Sequence, residues 1–72
     1  MSDWQKVLGW LQSGRPLDPA TAWRELGVYR LSARIYDLRR MGYRIGVRRK
    51  HVVGRDGKSA VVAEYYMERG GE

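Results

Sequence analysis

Val28 to Arg44, VYRLSARIYDLRRMGYR, is the stretch whose periodicity decides the fold. At about 100° per residue, Leu31, Ile35, Leu38 and Gly42 fall on one side of a helix. Tyr29, Arg30, Ala33, Asp37 and Arg40 fall on the opposite side. Ser32 and Tyr36 flank that opposite side on one edge, and Arg34 lies on the other edge, beside the apolar stripe. Such a pattern packs its aliphatic stripe on a small core and presents arginines to solvent. It predicts a helix from Leu31 to Met41, with Gly42 as its stop.

Two segments precede it. Ser2 and Gln5 have the spacing of a capping box. Trp4, Val7, Leu8 and Leu11 then recur at helical spacing, which predicts a first helix from Asp3 to Ser13 stopped by Gly14. Trp10 lies off the centre of that apolar face. It is expected to pack at the core margin rather than to meet a second subunit. Arg15-Pro16-Leu17 is too short for an element of its own and suits an extended piece that pairs with a later hairpin. Asp18-Pro19 opens a second helix, because Asp caps the free N–H groups and Pro needs none at the first position. Ala22, Trp23 and Leu26 are expected to face inward, and Gly27 ends the helix. A helix of about two turns does not persist alone in water, so it must be held by packing. Only Gly27 to Arg30 connect it to the arginine-bearing helix, a connection typical of a helix-turn-helix.

After Gly42 the period changes from helical to two. Tyr43, Ile45 and Val47 alternate with Arg44, Gly46 and Arg48, and Val61, Ala63, Tyr65 and Met67 alternate with Val62, Glu64, Tyr66 and Glu68. Two strands joined near Gly54 to Lys58 follow. A two-residue Asp56-Gly57 turn would set Val47 opposite Tyr66 and bring Glu68 to the core side. A three-residue Arg55-Asp56-Gly57 loop sets Ile45 opposite Met67 and Val47 opposite Tyr65. The second register places apolar groups against apolar groups and a Gly at the left-handed position, so it is preferred.

The chain has 72 residues and a net charge of +6. That length predicts one α+β domain over residues 1–72 with a small core, ordered from about residue 3 to 68 and frayed over 69–72. There is no Cys, so disulfides and thiolate metal sites are excluded. No apolar run approaches the ~18 residues of a membrane span. A cytoplasmic location is the expectation. The charge is uneven: Arg30 to Lys58 holds ten basic and two acidic residues, net +8, and the remainder nets −2. That asymmetry suits a polyanion-binding face.

Three helices followed by a basic hairpin is the winged helix-turn-helix arrangement. The run from Arg30 to Ile35, then Asp37 to Arg40, Gly42-Tyr43 and Ile45, resembles the small helix-turn-helix domains common in bacteriophages and prophages. The resemblance spans about Val7 to Met67 and implies DNA binding by the third helix. The hairpin here is longer and more basic than in the plainest members, which favours a working wing.

On that expectation the third helix enters the major groove. Arg30 is the candidate base contact, since a guanidinium bonds guanine bidentately. Tyr29, Ser32, Ala33 and Tyr36 join it; the alternative for Tyr36 is packing on Arg40. Arg34 is expected to reach a phosphate or to pair with Glu25. Asp37 would orient a neighbouring arginine or accept from a cytosine, and Arg39 and Arg40 suit phosphates. Arg48, Arg49, Lys50, Arg55 and Lys58 on the hairpin would follow the backbone or enter the minor groove, the alternative being charges that merely blunt a strand edge. Thr21, at the start of the second helix, is a further phosphate candidate. Six to eight neutralised phosphates would make affinity fall steeply with salt, by about 0.9 in log–log slope per phosphate.

His51 is expected to be an exposed strand residue. No catalytic constellation, phosphate loop or metal spacing is present, so no enzyme activity, metal or cofactor is expected. The partner expected is double-stranded DNA, bound by a transcriptional regulator or recombination accessory factor. RNA binding is a rival on charge alone. A protein-interaction module docking on an acidic partner, such as a host nucleic-acid enzyme, is the alternative function. The sequence is compatible with a homodimer and with a protein partner.

Overall fold

The computed structural model describes residues 2–68. The expected fraying of residues 69–72 lies outside that range. Helix α1 (Asp3–Gln12) starts where the Gln5 side chain accepts from the Ser2 backbone N–H at 2.9 Å. Val7 and Leu11 on its inner face are buried. Helix α2 (Pro19–Thr21) continues without a break into a π-wound segment (Ala22–Leu26). Its cap is the one expected, with the Thr21 N–H donating to Asp18 Oδ1 at 3.1 Å. Gly27 ends it at φ 69°, a left-handed conformation that a side chain would strain. Helix α3 (Leu31–Arg40) follows, with Leu31, Ile35 and Leu38 all buried as the periodicity requires.

Trp23 does not face inward. Ala22 is fully buried at the centre of this helix's inner face and Leu26 is partly buried, whereas Trp23 is 53% exposed. Trp23, the next residue round the helix from Ala22, is turned off the inner face, whereas Leu26, about one turn on in this π-wound segment, returns towards it. The small side chain therefore takes the core position, and the indole is carried to the surface. There it meets Tyr29 edge-on, with ring centroids 4.1 Å apart.

Strands β1 (Ile45–Val53) and β2 (Ser59–Met67) form an antiparallel hairpin in the expected register, Ile45 opposite Met67 and Val47 opposite Tyr65. The turn closes through Gly57 N–H to Gly54 O at 3.0 Å and Gly54 N–H to Lys58 O at 2.9 Å. Gly57 takes φ 79°, the left-handed position that ends a three-residue loop. Leu17 bridges to Tyr65 through two 2.8 Å backbone hydrogen bonds. The extended piece before α2 thus lines the free side of β2, and Leu17 is buried there. β1 remains the open edge.

One core holds α1, the π-wound segment, α3 and the start of β1 together through Val7, Leu11, Leu17, Ala22, Val28, Leu31, Ile35, Leu38 and Ile45, with Tyr65 and Met67 of β2 packed against it. It ends at Ile45. Val47, on the same face of β1 two residues on, is 51% exposed, against the expectation that it would be covered. The hairpin runs past the helices, and among the described residues no other element covers its distal half. The Cα radius of gyration of 12.7 Å exceeds the ~11 Å of a compact domain this long, as a projecting hairpin requires.

Candidate nucleic-acid interface

Burial of Leu31, Ile35 and Leu38 fixes the opposite side of α3 as its free face. Ser32, Tyr36, Arg39 and Arg40 are exposed, and Ala33 and Arg34 are partly exposed. Arg30 occupies the N-cap position and is exposed, with no carboxylate within 4.0 Å among the described residues. Tyr29 beside it is 76% exposed. The Arg40 guanidinium lies 5.8 Å from the centre of the Tyr36 ring, within the range of a cation–π contact. The packing alternative for Tyr36 is therefore present.

Two arginines of α3 are committed inside the molecule. Arg34 Nε donates to Asp37 Oδ2 at 3.0 Å, so its ion pair is with Asp37 and not with Glu25. Glu25 instead lies 3.4 Å from Arg24. Arg39 directs its fork at the Ile45 carbonyl, from Nε at 3.1 Å and Nη2 at 2.7 Å. That contact fastens the start of β1 to the end of α3 and takes Arg39 away from the phosphate role expected of it. Trp10 donates its Nε1–H to Pro16 O at 3.0 Å and carries the Arg15 guanidinium 3.8 Å above its ring. It packs at the core margin, as expected.

Strand alternation divides the basic residues of the wing. Arg48 and Lys50 face one side, where Arg48 Nε lies 2.9 Å from Glu64 Oε1 and Lys50 Nζ lies 3.4 Å from Glu64 Oε2. Tyr66 lies on that side too, across Gly46, where any side chain would overlap its ring. The Arg48 guanidinium is 5.4 Å from the Tyr66 centroid. Arg49 faces the other side, opposite Ala63, with Val47 and Val61. Arg55 and Lys58 flank the turn. Among the described residues, Arg49, Arg55 and Lys58 have no carboxylate within 4.0 Å, and His51 is exposed on β1.

Asp18 and Glu64 are the buried charged residues among those described. Burial pushes the Asp18 carboxyl up, but the Thr21 hydroxyl and N–H, with the charge of Lys50, outweigh it and hold Asp18 below its ordinary value. Thr21 is half-buried, and its N–H is taken by Asp18, which leaves that N–H no part in phosphate binding. Sequence reasoning missed the exposed position of Trp23 and the hold of Glu64 on two wing cations. The second was available in the register, which sets Arg48 directly opposite Glu64.

No group of three His, Asp or Glu among the described residues is placed to hold a metal ion. No helix among them is long and apolar enough to cross a membrane.

A short helix, a four-residue turn, a basic-faced helix and a projecting hairpin together define a winged helix-turn-helix domain, an architecture that points to DNA as partner. The model of the winged helix-turn-helix domain family matches residues 4–70, and the chain belongs to that family. No match is found to curated proteins or to solved structures.

Proposed function

We propose that the protein binds double-stranded DNA as a non-catalytic regulator or recombination accessory factor of the type common in bacteriophages and prophages, acting in the cytoplasm. The start of α3 enters the major groove, with Arg30, Ser32, Ala33 and Tyr36 at base edges and Tyr29 and Arg40 beside the backbone. Arg49, Arg55 and Lys58 of the wing contact phosphates. The observation that carries this reading is the placement of unpaired cations. Among the described residues they flank α3, at Arg30 before it and at Arg40 and Arg44 after its last turn, and lie along the projecting hairpin at Arg49, Arg55 and Lys58, while Arg15, Arg24, Arg34, Arg39, Arg48 and Lys50 are held by carboxylates, a carbonyl or an indole ring.

Titration of labelled duplexes over a range of salt concentrations tests it. Six exposed cations with no carboxylate within 4.0 Å among the described residues (Arg30, Arg40, Arg44, Arg49, Arg55 and Lys58) give an expected log–log slope of about −5. Binding that does not vary with salt, or no binding at low salt, contradicts the reading. The exposed Trp23–Tyr29 pair supports a second reading, docking on an acidic protein partner. Capture of a partner that survives nuclease treatment and is lost in Trp23→Ala would favour it.

A further inference from the structure

We infer that Glu64 is a positioning residue for DNA binding, which confines the wing's phosphate contacts to one face by holding Arg48 and Lys50 in internal ion pairs. The inference rests on the duplex-binding reading and assigns its regulation to a residue that touches no DNA.

Each carboxylate oxygen of Glu64 has one cation, Arg48 at 2.9 Å and Lys50 at 3.4 Å. The carboxylate side chain is only 10% exposed, while both cations are partly in solvent. Lys50 also acts on the buried Asp18 carboxylate. One buried carboxylate thus holds two cations on this side of the hairpin and offsets part of the charge they would show a phosphate. A phosphate that took Arg48 and Lys50 would leave a buried carboxylate without its partners, which is strongly unfavourable. Arg48 is held a second time by the Tyr66 ring, whose place depends on Gly46.

On the other face Arg49 has no such competitor. The wing therefore meets the backbone on the side of Arg49 and through its tip, at Arg55 and Lys58. The segment is rich in cations, but only part of its charge is available to DNA. Glu64 thereby sets both the direction in which the wing docks and the share of affinity that is independent of sequence.

Glu64→Gln keeps the shape and one acceptor and removes the charge. The expected result is a salt slope steeper by up to about 1.8, two phosphates at about 0.9 each. Affinity for all duplexes should rise at low salt, and discrimination between sequences should fall. In the native background Arg48→Gln and Lys50→Gln should leave the slope unchanged, whereas Arg49→Gln should lower it by about 0.9. This second set decides the matter if Glu64→Gln does not fold. An unchanged slope in a folded Glu64→Gln, or an equal loss of slope in Arg48→Gln and Arg49→Gln, overturns the inference and leaves duplex binding standing. Failure of the native protein to bind any duplex overturns both.

Discussion

Arg30 and Arg34 lie one helical turn apart and do different work because of one neighbour. Asp37 takes the head of Arg34 at 3.0 Å, while Arg30 stands before the helix with no carboxylate within 4.0 Å among the described residues. A bidentate contact to guanine is worth about 1–3 kcal/mol of discrimination. Arg30→Ala should therefore lose about that much preference between duplexes differing at one base pair, measured by competition, with its salt slope changed by no more than about one phosphate. Trp23 is the residue most displaced from its expected place. Because it is half-exposed, Trp23→Ala should cost less than about 2 kcal/mol in urea unfolding, below the 2–5 kcal/mol of a buried Leu→Ala. Asp18 gives a pH dependence. Its carboxyl sits lower in the folded chain than its ordinary value, so ionisation favours the fold. That contribution is complete above about pH 5 and is lost as pH falls through the folded value. Asp18→Asn should flatten the acid side of the stability–pH curve measured by urea unfolding between pH 3 and 6.

The helix-turn-helix element depends on its turn. Gly27 has a left-handed backbone, and an L side chain there costs about 1–2 kcal/mol. Gly27→Ala should lower the unfolding free energy by that amount, read from the urea midpoint. Most of this architecture was legible in the sequence. The stripe of Leu31, Ile35 and Leu38 fixed α3, and the alternation around Gly57 fixed the hairpin register, because each is a local pattern with one buried solution. What was not legible depends on neighbours distant in the chain. Burial of Ala22 in place of Trp23 follows from which side of the π-wound segment packs against α1. Exposure of Val47 follows from where the helices stop above the sheet. The candidate site was legible as a charge distribution, but not as a set of free cations. Arg34, Arg39, Arg48 and Lys50 each find an internal partner that composition does not show.

For the whole molecule, a domain of 72 residues has a stability of roughly 4–11 kcal/mol. The core contains nine buried apolar side chains, and Leu38 sits in its middle, fully buried. Leu38→Ala should cost about 2–5 kcal/mol, a large share of that stability, seen as an earlier urea midpoint. The same small core explains why the projecting hairpin is fastened at its base, by Leu17 on β2 and by Arg39 on Ile45. The base of the wing and the helices thus share one core, beyond which the distal hairpin projects. The central claim, that the start of α3 and the tip of the hairpin form one DNA-binding face, is tested most directly by backbone amide chemical shifts followed as a duplex is added. The account predicts that the shifts concentrate at Tyr29 to Tyr36 and at Arg49 to Lys58, with α1 and the Trp10 indole little changed. Shifts centred on α1 and the Trp10 indole, or none in either predicted region, would contradict it.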